Sequence, residues 1–85
     1  MRRALLVGID LYQNNKYNLK GCVNDVHLIQ HFLIQKAGFI ENEIKIILNQ
    51  EATREELLKQ LSWLVYDTRP GDKILFYYSG HGYRL

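Results

Sequence analysis

Three short apolar runs, separated by stretches with helical periodicity, limit what this chain can fold into. The runs cover residues 4–9 (ALLVGI), 44–48 (IKIIL) and 73–78 (KILFYY), and each is nearly continuous in hydrophobicity. Branched and aromatic residues dominate them, which is typical of strands in a parallel sheet covered on both faces. A membrane-spanning helix needs about 20 apolar residues, so none of these runs predicts one.

The stretch between the first two runs predicts an amphipathic helix. Gly38 can adopt the left-handed conformation that ends many helices, and it is the expected C-terminal cap. Apolar residues recur before it at spacings of three and four, which places them on one helical face. The members of this stripe are Cys22, Val26, Ile29, Leu33 and Ala37.

The stretch between the second and third runs predicts another helix. Thr53, followed three residues later by Glu56, has the pattern of an N-terminal capping box, and Pro70-Gly71 closes the connection. Trp63 falls opposite the apolar stripe, either as a tolerated surface residue or as a contact to protein outside this chain. That stripe consists of Leu57, Leu58, Leu61, Leu64 and Val65.

The element order is therefore strand, helix, strand, helix, strand, and it predicts a doubly wound α/β fold with a mainly parallel sheet. In strand order 2-1-3, ligands bind beyond the carboxyl ends of the first and third strands. The sequence brings Asp10, the helix entry at 20–22 and residues 79–82 to that crevice. An 85-residue chain is one small domain or part of one.

Charge and cysteine content exclude several functional classes. The chain has 11 basic and 9 acidic residues without a basic block, so we expect no nucleic-acid partner. Cys22 is the one cysteine, which excludes an internal disulfide and a zinc–cysteine cluster. The apolar run after the N-terminal arginines is too short for a signal peptide, and we expect a cytoplasmic protein that does not bind membranes.

The segment Ser79-Gly80-His81-Gly82 places an imidazole between two glycines at the tip of a buried strand. His81 has a reference pKa near working pH and can act as a general acid or base. The amide of Gly82 can donate to a developing oxyanion. From these four residues alone, a loop histidine without chemistry is an equal alternative.

Other candidate residues have plainer interpretations. His27 and His31 have the spacing of a helical metal pair, but they face away from the apolar stripe and are expected to be surface residues. Cys22 is expected to be a small buried thiol. Asp25, one turn into the helix, either complements the helix dipole or offers a carboxylate to a cationic ligand. Gly8 belongs to no glycine-rich nucleotide motif.

Four segments together resemble the N-terminal part of a caspase-like cysteine peptidase domain, of the metacaspase or prokaryotic orthocaspase type. They are residues 4–12, 19–25, 63–64 and 71–82, in the order and spacing of that family. The resemblance implies the caspase-like fold, with residues 1–85 forming the N-terminal portion of a single peptidase domain.

The resemblance also implies the roles of individual residues. His81 would belong to a Cys–His dyad, Gly82 to the oxyanion hole, and Asp25 to a pocket for the Arg or Lys side chain before the scissile bond. The nucleophilic cysteine of the family lies on the following strand, beyond Leu85. The calcium-binding acidic residues of metacaspases also lie beyond the histidine, so the resemblance allows calcium in the complete protein and gives no metal site in this chain.

We therefore expect part of a cysteine endopeptidase that acts on peptides or proteins, with this chain inactive alone. The strand at 73–78 is expected to pair with the remainder of the domain or with a second chain, because it forms a sheet edge. One alternative is a non-catalytic caspase-like interaction or regulatory module. Another is a domain that binds a small ligand, which would rest on fold analogy only.

Overall fold

The computed structural model describes residues 1–10 and 21–80 of the chain. Strands and helices alternate along these residues, in the order predicted from the apolar runs. The elements are β1 (Arg2–Gly8), α1 (Cys22–Lys36), β2 (Ile44–Leu48), α2 (Arg54–Val65) and β3 (Lys73–Ser79), and short 3-10 turns at Glu41–Glu43 and Asn49–Glu51 flank β2.

The sheet has strand order β2-β1-β3, and β1 pairs in parallel with both neighbours. In this register Gly8 lies opposite Leu48 on β2 and Ser79 on β3. The carboxyl ends of all three strands therefore lie at one edge of the sheet. The predicted α/β class is confirmed, and the strand order is the one from which the position of the crevice was inferred.

The central strand β1 is the core of the fold. Residues 4–7 are fully buried, and alternate side chains point to opposite faces of the sheet. Ala4 and Leu6 pack in one cluster with Val26 of α1, whereas Leu5 and Val7 pack in another with Leu64 of α2. The two helices thus cover opposite faces of the sheet, as a doubly wound fold requires.

Helix α1 matches its predicted stripe. Cys22, Val26 and Leu33 are buried, and Ile29 and Ala37 are partly buried against the same cluster. After the helix, Gly38 has a φ of 78°, and the N–H of Phe39 donates to the carbonyl of Leu33 at 3.1 Å. The expected left-handed glycine cap is therefore confirmed.

The N-terminus of helix α2 has half of its predicted capping box. The hydroxyl of Thr53 accepts from the N–H of Glu56 at 3.1 Å. The reciprocal bond is replaced, because the N–H of Thr53 donates to the carbonyl of Glu51 and the carboxylate of Glu56 accepts from Gln60.

The apolar stripe of α2 is narrower than predicted. Leu64 is buried and Leu57 and Leu61 are partly buried, but Leu58 and Val65 are 54% and 55% exposed. These two residues lie roughly 75–95° around the helix from the middle of the packed row, so they miss the sheet. Within the described ranges, no helix is long and apolar enough to cross a membrane.

Trp63 is packed against other residues of this chain, and neither alternative predicted from the sequence included such contacts. Its ring packs beside the α2 cluster, with the Lys45 ammonium 5.0 Å and the Arg3 guanidinium 5.7 Å from the ring centroid. The guanidinium also donates to the carbonyls of Trp63 and Tyr66, at the C-terminal end of α2. Arg3 therefore both covers the ring and binds carbonyls at the end of the helix.

Strand β3 differs from the expectation of a strand covered on both faces. Tyr77 and Tyr78 pack against the two clusters, but Ile74, Leu75 and Phe76 are 47%, 37% and 48% exposed. Both helices pack around the central strand, so within the described residues the first half of β3 lacks a covering layer.

Helix α1 packs directly against the backbone of β1 at Gly8. A Cβ atom at this position would lie 2.7 Å from Cγ2 of Val26 and 3.0 Å from the carbonyl oxygen of Cys22. Real Cβ atoms essentially never make a 2.7 Å contact. Gly8 is therefore required for helix–strand packing.

Replacing Gly8 with alanine should destabilise the protein, because the added methyl group forces α1 away from β1. We expect Gly8→Ala to lower the free energy of unfolding by about 1–3 kcal/mol, measured by urea denaturation. Val26→Ala removes one of the two clashing atoms, so the losses of the two variants should be less than additive. An alanine variant as stable as the parent protein would contradict the packing role.

The start of β3 is joined to the start of β1 through Asp72. Its carboxylate accepts from the Met1 ammonium group at 3.0 Å and from the N–H of Arg69 at 2.9 Å. The Arg69 N–H and then the ammonium group lower the pKa of Asp72 below its ordinary value of 3.8. Lys73 donates its N–H to the Met1 carbonyl at 2.9 Å, which completes this junction.

The lowered pKa makes the contribution of Asp72 dependent on pH. The contribution is fully present above pH 3.8 and is lost as the pH falls through the lower pKa of the folded state. Asp72→Asn should therefore lower the thermal unfolding midpoint at pH 7, and the gap to the parent should close in strong acid. Asp67→Asn is the control, because the carboxylate of Asp67 is 65% exposed and 3.8 Å from Arg69. A gap that stays constant from pH 7 to pH 2 would contradict this account.

Candidate active site

The site lies where β1 and β3 end. Gly8 and Ser79 are partners in the parallel ladder, and the N–H of Ile9 donates to the carbonyl of Ser79 at 3.0 Å. This bond extends the pairing by one residue beyond β1. The chain segments that leave the two strands therefore begin side by side at the carboxyl edge.

Asp10 connects this edge to helix α1. One carboxylate oxygen accepts from the N–H of Cys22 at 2.8 Å, and the other accepts from the N–H of Val23 at 3.2 Å. The helix needs such a partner, because its N-cap is Gly21, with a φ of 94° and no side-chain cap. A carboxylate from the end of β1 thus satisfies amides that the N-terminus of a helix leaves free.

The backbone of Asp10 is also tied to the end of β2. Its N–H donates to the side-chain oxygen of Asn49 at 2.9 Å. Asn49 begins the 3-10 turn after β2 and has a left-handed φ of 52°, a conformation that asparagine tolerates better than most residues. Asp10 therefore joins the ends of β1 and β2 to the start of α1.

Sequence reasoning placed Asp10 in the crevice but missed what it does there. The sequence did contain a signal for this role, namely the glycine before the helix. A helix that begins after glycine has no side chain of its own to cap it. An acidic residue directly after the neighbouring strand is a natural substitute. Only the register of strand and helix shows that the carboxylate reaches both amides.

Asp25 lies in the first turn of α1, and its N–H donates to the carbonyl of Gly21 at 2.8 Å. The residue is exposed, so its charge is available to a ligand. Its place at the helix N-terminus also stabilises the negative charge through the helix dipole. Both interpretations made from the sequence are compatible with this geometry.

Cys22 is a small buried residue, as expected from the sequence. Cys22 is 8% exposed and lies on the face of α1 that packs against the sheet. The thiol is free and buried, which does not suit a nucleophile that must reach a substrate. His27 and His31 are exposed, as predicted for surface residues.

His81 and Gly82 lie outside the described residues, so their assigned roles remain predictions. In the sequence, His81 follows the described segment 21–80 directly. Within the described residues, no group of three or more His, Cys, Asp or Glu side chains is arranged to hold a metal ion.

Comparison with known proteins identifies relatives of the chain. Residues 2–85 match the family model described as the metacaspase, peptidase C14 domain. Metacaspase-1 of Debaryomyces hansenii and Metacaspase-1 of Schizosaccharomyces pombe are each 42% identical over 87 residues. Metacaspase-1 of Yarrowia lipolytica is 36% identical over 87 residues.

The matches cover nearly all of this chain but only a small part of each relative. Each covers 95% of this chain, but only 20%, 20% and 19% of the three relatives in the same order. The chain thus spans about a fifth of the length of the relatives it matches.

Proposed function

This chain belongs to the metacaspase family of cysteine peptidases, and from that membership we propose that the complete protein is an endopeptidase that cleaves after Arg or Lys. Residues 1–85 form the N-terminal portion of its single peptidase domain. One observation carries the proposal. The first turn of α1, which bears the exposed Asp25, is bonded to Asp10 after the end of β1. The neighbouring Ile9 is bonded to Ser79 at the end of β3, two residues before His81.

The reaction uses a cysteine outside this chain as its nucleophile. His81 first accepts the proton of the cysteine thiol. The thiolate then attacks the scissile carbonyl, and the N–H of Gly82 donates to the resulting oxyanion. His81 then protonates the leaving amine as the C–N bond breaks, which leaves a thioester on the cysteine. His81 next removes a proton from a water molecule, and hydrolysis of the thioester frees the acid and the thiol.

The environment of β3 supports a catalytic role at its end. The strand pairs over seven residues with the buried strand β1, from Arg2–Lys73 to Gly8–Ser79. A catalytic residue placed after such a strand starts from a rigid element, and rigid support is what precise chemistry requires.

Asp25 supports the preference for basic substrates. An exposed carboxylate can pair with a substrate ammonium, or with both nitrogens at one side of a guanidinium. Asp10 accepts amide hydrogens with both of its oxygens, so it is already engaged with the helix. Of these two acidic residues, Asp25 is therefore the better candidate for the substrate contact.

The exposed start of β3 supports a pairing partner. Ile74, Leu75 and Phe76 are apolar and exposed along an edge strand, and such edges are normally covered in native proteins. We propose that the remainder of the peptidase domain, or a second chain, pairs with this edge. A non-catalytic interaction module would use the same surface, so a test of His81 must separate the two functions.

His81→Ala in the complete protein should abolish cleavage, because the dyad loses its proton acceptor and donor. The proton-transfer part alone contributes roughly 10²–10⁴-fold. Residues 1–85 alone should not cleave peptides, since the buried Cys22 cannot serve as the nucleophile. The measurement is hydrolysis of a fluorogenic Arg peptide, with His31→Ala as the control. Full activity of the His81 variant would contradict the dyad assignment, whereas a complete parent protein that does not cleave the peptide would favour the non-catalytic module.

Asp25→Asn should lower kcat/KM for Arg and Lys peptides by about 30- to 1000-fold, because a substrate charge is left without its partner. Folding should change little, since a first-turn carboxylate contributes only about 0.3–1 kcal/mol. Glu55→Gln is the matched control, because it neutralises a first-turn carboxylate of α2. Unchanged Arg cleavage with reduced stability would reduce Asp25 to a helix-stabilising residue.

A further inference from the structure

We propose that Asp10 is a positioning residue for substrate specificity. It acts through the first turn of α1 and holds Asp25 where a basic side chain can reach it. The inference rests on the proposed role of Asp25, and it adds a residue from a different element of the fold to that role.

The helix entry shows why a positioning residue is needed. Gly21 is in the left-handed region and supplies no side chain, so the first turn of α1 has no local cap. The bonds from the amides of Cys22 and Val23 to Asp10 take the place of that cap. Without them the first turn is free to fray, and Asp25 lies on that turn.

The bonds around Asp10 define the position of the turn as well as its stability. The N–H of Ile9, its neighbour, donates to Ser79 at the end of β3, and its own N–H donates to Asn49 after β2. The carboxylate is therefore held against two strand ends while it binds the helix. Through this arrangement, Asp25 is placed relative to the same edge from which the chain continues to His81.

The charge of Asp10 suits this role. A carboxylate beside the amides of a helix N-terminus interacts favourably with the helix dipole, and charged acceptors form stronger hydrogen bonds than neutral ones. Each of its oxygens accepts one amide hydrogen of the first turn. Asparagine could retain only one of these bonds, because its amide nitrogen is a donor.

The experiment measures kcat/KM of the complete protein for a matched pair of peptides with Arg or Gln before the scissile bond. Asp10→Ala should lower kcat/KM for the Arg peptide about tenfold, mainly through a higher KM, and should reduce the preference for Arg over Gln. Asp10→Asn should give a smaller loss of about threefold. Thr53→Ala is the control, since it removes the side-chain cap of α2 and should leave the preference unchanged.

A double variant separates positioning from a general structural effect. If Asp10 acts through Asp25, adding Asp10→Ala to Asp25→Asn should cause no further loss of Arg preference. Losses that multiply would overturn the proposal, because Asp10 would then act independently of Asp25. If Asp10→Ala does not fold, Asp10→Asn and Asn49→Ala take its place in the same cycle.

The outcomes also distinguish this inference from the proposed function. An Asp10 variant with full Arg preference, beside an impaired Asp25 variant, would overturn the positioning role and leave the specificity assignment intact. An Asp25 variant with full Arg preference would overturn both. Impairment of each single variant, without further loss in the double variant, supports both.

Discussion

The contact between the start of α1 and the end of β1 is the interaction on which the rest of this fold depends. Gly8 lets the helix backbone approach the central strand, and two residues later Asp10 binds the first amides of the helix. Packing and hydrogen bonding thus act on the same turn. The face of β1 that carries Ala4 and Leu6 is buried only if α1 lies at this distance, so the core and the site share one constraint.

This arrangement brings the ends of three strands together within a small part of a peptidase domain. The buried strand β1 places its own end and that of β3 side by side, and Asn49 brings in the end of β2. The carboxyl edge of a parallel sheet is where ligands of doubly wound folds bind. The exposed Asp25 lies in the first turn of the helix whose first amides bind Asp10 at that edge.

Much of the fold could be predicted from the sequence, because runs such as 4–9 and the stripe of α1 are strong periodic signals. The width of the α2 stripe could not, since Leu58 is exposed only because the sheet does not extend beneath it. The environment of Trp63 also could not be predicted, because its ring is covered by Arg3 and Lys45, which lie on strands far from it in sequence. Helical periodicity describes one element and carries no information about side chains arriving from others.

For the candidate site, the sequence suggested residues with suitable chemistry but not how the fold positions them. Asp25 was identified through a family resemblance, whereas the role of Asp10 depends on a hydrogen bond across 12 residues of sequence. The most direct measurement is a crystal structure of the complete protein with an Arg peptide bound. The account predicts a carboxylate oxygen of Asp25 within about 3 Å of the guanidinium nitrogens, with Asp10 still bonded to the first turn of α1. A guanidinium bound elsewhere, with Asp25 facing solvent, would contradict it.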